Sequence, residues 1–282
     1  MDILGYSSYG WLPSALYLAL LLVLSFKAKS GVESRLSTAL VQAAIFVILV
    51  IHGAQLHDSV FTPEGFVFGF AQDLSLIAWV GLAFYWFQSW FLPISSLRWM
   101  ALMFALFCAF LPNLFPGVLI SPKAVSDPWF KGHFVVATVA VGLLSLAAMH
   151  AMLMSVQDRA LHRQLAIIPN GRLAHWLEDL PPLMTMESLL FNLLYVGFTL
   201  LSLTVFSGLL FSQTLFGKPL VFDHKTIFAL VSWVLFAGLL LARWRVGLRG
   251  RAAIRWVLSA YTALLLAYVG SRFVLEVILQ RA

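Results

Sequence analysis

Residues 222–233 read FDHKTIFALVSW, and the run continues through VLFAGLLLA to Arg243. An acid, an imidazole and an amine stand at three consecutive positions, Asp223, His224 and Lys225. From Thr226 to Ala242 no charged residue follows. That stretch is read as a membrane helix, since hydrocarbon needs roughly 17–25 apolar residues to be crossed. It opens on ionisable groups, which a bilayer penalises, so the opening is a candidate functional segment.

Working outward, the whole chain shares this character. Of 282 residues, 61% are hydrophobic and 11% charged, with mean hydropathy +0.92. A soluble domain carries about 25% charged residues. Apolar runs fill nearly the entire length, so residues 1–282 are read as one integral-membrane domain. The net charge of +6 lies in short loops beside apolar runs, where it sets topology rather than binding nucleic acid. The single cysteine, Cys108, forms no internal disulfide, and C-x-x-C-H is absent. The first residues lack a basic segment and a small-residue cleavage site, so the first apolar run is expected to be retained.

The expected fold is all-α, a polytopic bundle of about eight transmembrane helices. The expected spans are Tyr9–Phe26, Ser37–Leu56, Leu74–Phe91, Trp99–Ile120, Phe134–Val156, Leu189–Phe211, Ile227–Ala242 and Ala253–Leu279. Pro112 and Pro116 should kink or end the fourth. Twelve of the 18 basic residues fall on one set of loops, densest in RWRVGLRGRAAIR, residues 243–255. That side is read as cytoplasmic, which puts both termini on the outer (periplasmic) side. Between spans two and three, HDSVFTPEGFVFGFAQD is read as an apolar loop that lies in the interface or folds over the bundle. The inner loop 157–187 reads as a helix extension, a turn and a re-entry limited by Pro181-Pro182.

Of seven histidines, His162 and His175 fall in that inner loop and are read as solvated. His133 and His150 share a helix but stand 17 positions apart, roughly 25 Å, too far to share a metal. His52, His57, His133 and His224 reach one depth, the outer third, from three helices. Neutral imidazole is a common ligand of haem iron. His133 and His52 are therefore the candidate iron ligands, with His224 and His57 as further ones. The competing reading has these helix-end histidines bonded to water, headgroups or loop carbonyls. Asp223 and Lys225 either cap the helix or order a binding loop. Arg272 and Glu276, at i and i+4, either pair on one face or leave Arg272 to face a haem propionate. Asp73 and Glu187 are read as helix-opening caps. No nucleophile–His–acid set, phosphate-binding glycine loop or H-E-x-x-H is present, so the expected protein is non-catalytic or only weakly catalytic.

The chain resembles the cytochrome c assembly proteins of the CcsA/CcmC type, and within them the YpjD-like branch of inner-membrane proteins. The resemblance is densest over residues 131–279. Its anchors are KGHFVVATVAVG (131–142), LPPLMTMESLLF (180–191), residues 222–243, GLRGRAAIRW (247–256) and YVGSRFVLEVIL (268–279). The family's W-D-P-K-E-T-W-A-F-I-T-W helix has counterparts here in Asp223, Lys225, Ala229 and Trp233. His133 matches an outer histidine that is a haem ligand in the family. The loop 213–221 has no tryptophan, a family histidine falls at Leu241, and a second outer histidine falls among the histidine-free residues 275–279. The resemblance implies a haem-binding or haem-handling protein related to cytochrome c assembly, with haem as cofactor and a site near the outer face. His133, His52, His224, Asp223, Lys225 and Arg272 would form that site. Expected partners are the lipid bilayer, haem, and other membrane assembly or transport proteins. The alternative is a non-catalytic accessory subunit of a membrane ion-transport or assembly complex.

Overall fold

The computed structural model describes residues 10–30, 35–62, 65–91, 94, 97–120, 128–162, 180–216 and 224–278. Among the described residues eight long helices follow one another: α1 Leu12–Ser30, α2 Arg35–Val60, α3 Phe70–Gln88, α4 Leu97–Phe110, α5 Pro128–His162, α6 Leu183–Phe216, α7 His224–Val246 and α8 Gly250–Leu265. The last continues as a π-helical turn Leu266–Gly270, a short α turn Ser271–Phe273 and a second π-helical stretch Val274–Ile278. Backbone groups in hydrocarbon must be paired within their own segment, and helices do this. Six stretches of the described residues are long and apolar enough to cross a membrane: Thr38–Val60, Phe70–Gln88, Pro128–Leu161, Leu183–Leu210, His224–Val246 and Gly250–Ile278. Leu12–Phe26 and Leu97–Asn113 are apolar but shorter.

Proline sets several boundaries. Pro128 occupies the first position of α5, where its missing N–H is no loss. Pro181-Pro182 precede α6, and the Pro182 carbonyl accepts from Thr185 and Met186. The fourth expected span is corrected: α4 stops at Phe110, and a 3₁₀ turn Leu111–Asn113 built on Pro112 ends it. Beyond it the chain becomes the strand β3, Val118–Ile120.

The outer loop folds over the helices, and it does so as a hairpin. The strands β1, Phe61–Thr62, and β2, Gly65–Phe68, pair antiparallel with Phe61 opposite Phe66. Then β3 adds to the other edge, Phe66 opposite Ile120 and Phe68 opposite Val118. The period-2 order Phe66-Val67-Phe68 puts both phenylalanines on one face. That face is buried and meets the Phe134 ring of α5 edge-on, at 5.7 and 5.1 Å. The bundle therefore carries a three-stranded cap on its helical body.

Helix α5 runs through the centre, against α3, α4, α6 and α8. Its inward stripe is small: Ala140, Ala147, Ala148 and Ala151 are fully buried. Small residues let membrane helices approach closely. At Gly142 a Cβ would stand 2.5 Å from Val80 Cγ1 of α3, so only glycine permits this crossing. The α7–α8 turn uses left-handed backbone at Gly247 (φ 66°) and Gly250 (φ 60°), which costs glycine little.

Candidate functional site

The ends of α3, α5, α6, α7 and α8 that lie away from the arginine-rich α7–α8 turn bring several polar side chains together. On α5, His133 Nδ1 lies 2.8 Å from Ser207 Oγ of α6. Ser207 donates its one hydroxyl hydrogen to the Thr204 carbonyl at 3.1 Å. The Ser207 oxygen then has lone pairs free to accept from an Nδ1–H of His133. In that tautomer Nε2 carries a lone pair with no hydrogen-bond partner among the described residues, and that is the atom an imidazole offers to a metal. A second-sphere bond that sets the tautomer and ring angle is the usual companion of a ligating histidine. A Cβ at residue 208 would stand 3.4 Å from His133 Cε1, so Gly208 leaves the ring room.

Around His133 lies a charge cluster in which only Asp73 is buried. The charge of Lys225, on the first turn of α7, acts on His133 and also on Asp73. Its Nζ stands 5.6 Å from the centre of the Tyr268 ring. Asp73 is 5% exposed, within the fields of Arg272, Lys225 and Glu276. Arg272 lies over the Phe68 ring at 4.9 Å. Asp73 stands in the first turn of α3, and Glu276 Oε2 accepts from the Phe70 N–H at 3.2 Å, so a second acid caps that helix from another one. The expected Arg272–Glu276 pair does not form: the Glu276 carboxylate is turned to the Phe70 N–H, and the Arg272 guanidinium to the Phe68 ring. Two anions and two cations thus share this end, and no ion pair closes among Asp73, Arg272 and Glu276.

The other candidates are placed differently. His52 is 1% exposed, with Nδ1 3.0 Å from the Tyr17 hydroxyl and Nε2 2.9 Å from Ser75 Oγ. Both nitrogens are engaged, so its geometry is that of a core histidine joining α1, α2 and α3. His57 is exposed and bonded to Asp58 at 3.2 Å. It borders an apolar cleft of about 370 Å³ between α2, the hairpin, α3 and α5, with Lys131 on the rim. His150 donates toward the Leu146 carbonyl of its own helix at 3.2 Å. His224 is exposed and opens α7. Asp223, His175 and the loop 217–223 lie outside the described residues, as does the side chain of His162. Trp233 of the opening motif is structural: its Nε1 donates to Ser202 Oγ at 2.9 Å, and Phe198 and Phe206 flank its ring. Among the described residues no group of three or more His, Cys, Asp or Glu could hold a bare metal ion.

Sequence reasoning missed Ser207, Tyr268 and the place of Asp73. Ser207 carries no signal of its own in an apolar run, and Asp73 had a sufficient local explanation as a cap. The inner end was likewise underread. Glu187, expected to cap α6, accepts from Arg243 Nη1 at 2.6 Å and pairs with Arg249 Nε at 3.3 Å.

The family model described as "Cytochrome C assembly protein" matches residues 13–279. An uncharacterized 28.8 kDa protein of Azospirillum brasilense is 36% identical over 153 residues, 54% of this chain and 53% of that one. Inner membrane protein YpjD of Escherichia coli K12 is 29% identical over 175 residues, 62% of each chain. Cytochrome c biogenesis protein CcsA of Synechocystis is 28% identical over 86 residues, 30% of this chain and 26% of that protein. The match thus spans between about half and two thirds of the first two relatives and about a quarter of the third. The apolar helices and these likenesses make this a multi-pass protein of the bacterial inner membrane.

Proposed function

The chain belongs to the cytochrome C assembly protein family, and on that premise we propose that it binds or relays haem near the outer face of the membrane. In this reading α1 and α4 also cross, giving eight spans with both termini outward. The arginine-rich turn between α7 and α8 then lies in the cytoplasm.

The observation that carries the reading is His133: a ring held by Ser207 through Nδ1, with Nε2 unpartnered. A haem iron takes four ligands from its porphyrin and needs only one or two from protein, so a set of three protein ligands is not required. His224 is the candidate for the opposite ligand, because His52 has both nitrogens engaged. Lys225 and Arg272 are cations suited to propionates, and Asp73 and Glu276 hold their field in balance. Asp223 would order the approach to α7. Haem would supply a redox-active iron, while these residues orient it and shield one face from water. CcsA is named for cytochrome c biogenesis, and a haem-handling step in that process is the role proposed here.

Protein purified from haem-replete cells is expected to show a Soret band that shifts on reduction, and His133→Ala to remove it. A colourless preparation that takes up no added haemin would overturn the reading. Retention of the full band in His133→Ala would overturn the ligand assignment.

A further inference from the structure

At the arginine-rich end, a separate notch opens between α7 and α8, about 320 Å³ in volume and lined by Leu235, Ala252, Arg255, Trp256 and Ser259. Each of its polar side chains can donate a hydrogen bond, and none is anionic. Among the described residues, two acids near this end are already engaged: Glu187 holds Arg243 and Arg249, and Asp158 holds Arg251. No carboxylate of the described residues lies within ion-pair distance of Arg255, whose Nε reaches only the Arg251 carbonyl, at a long 3.4 Å. Ser259 stands four residues on, one turn along the same face, and its hydroxyl makes no hydrogen bond among the described residues. Trp256 seats its ring against α7 at Gly238, where a Cβ would stand 3.0 Å from Cζ3. Its indole N–H has no acceptor among the described residues. A guanidinium, a hydroxyl and an indole N–H therefore border an apolar floor at the end of two membrane helices.

We propose that this notch binds the phosphodiester headgroup of an anionic phospholipid in the adjoining leaflet, with an acyl chain running down past Leu235. Arginine forks onto phosphate oxygens. Tryptophan favours the depth of the headgroups. Basic pockets between membrane helices hold acidic lipids in the same way. The site is independent of the haem reading, which concerns the opposite end of the bundle; only the naming of the leaflet as cytoplasmic rests on the orientation proposed above.

The test is native mass spectrometry of the full chain in detergent, titrated with phosphatidylglycerol or phosphatidylcholine of matched acyl chains. One phosphatidylglycerol should be retained with about tenfold preference. The variant Arg255→Gln should lower that preference about fivefold, the weight of one basic residue at an anionic surface. Ser259→Ala should lower it further. Arg245→Gln removes the same charge nearby from a side chain stacked on Trp244 at 4.8 Å, and should leave the preference unchanged. Equal binding of the two lipids would overturn the proposal, as would equal losses in Arg245→Gln and Arg255→Gln. Displacement of the lipid by millimolar inorganic phosphate would also overturn it, by showing a free-anion site.

Discussion

The two ends of this bundle hold their charges in opposite ways. At the arginine-rich end, acids and bases touch: Glu187 meets Arg243 at 2.6 Å and Arg249 at 3.3 Å, and Asp158 meets Arg251. Arg243 also lies 4.3 Å over the Phe191 ring and donates to the Leu248 carbonyl. These contacts join α5, α6, α7 and α8, and they leave little of either partner free. At the other end Asp73, Arg272 and Glu276 act on one another without closing a pair, and His133 keeps Nε2 open. Charge that is paired holds helices together. Charge that is balanced but unpaired keeps its capacity for a ligand, at the expense of stability.

The comparison breaks first if the paired end is not the structural one. Glu187→Ala leaves the half-buried Arg243 guanidinium without its carboxylate and should lower unfolding stability by about 3 kcal/mol. Thermal unfolding in detergent checks this, and the haem spectrum should not move. Next, His52→Ala strands the Tyr17 hydroxyl and Ser75 Oγ in the core, for a loss of about 2–3 kcal/mol. Its Soret band should match that of the parent protein; loss of the band would return His52 to the ligand set.

Smaller effects sharpen the contrast. Ser207→Ala removes the acceptor that orients His133 and should weaken haem binding about 10- to 100-fold. Haemin titration followed by absorbance measures it, with stability nearly unchanged because the serine is only part-buried. An unaltered affinity would show that the second-sphere bond does not tune the ring. Smallest of all, Arg251→Ala breaks a half-exposed pair with Asp158. It should alter the unfolding midpoint by less than about 1 kcal/mol.

Much of this was legible in the chain before any coordinates. Each helix is a local consequence of an apolar run, since its backbone bonds close within the segment. Proline placed the end of α4 and the start of α6 for equally local reasons. The opening of α7 and His133 were marked by ionisable residues beside apolar ones. What stayed hidden depends on partners far along the chain. The hairpin is completed by β3, some 50 residues after β2. Whether a histidine is free depends on Tyr17 and Ser75 for His52, and on Ser207, 74 positions away, for His133. Glu276, expected to pair with Arg272, instead caps α3, whose first N–H lies 206 positions away in sequence.

The sequence by itself determined that this chain lives in a bilayer, where its helices run and which family it joins, because hydropathy, proline and motif are properties of neighbouring residues. Only the tertiary structure decided which imidazole keeps a lone pair and which acids are already paired. Those outcomes are set by hydrogen-bond partners delivered from other helices, and no single segment carries that information.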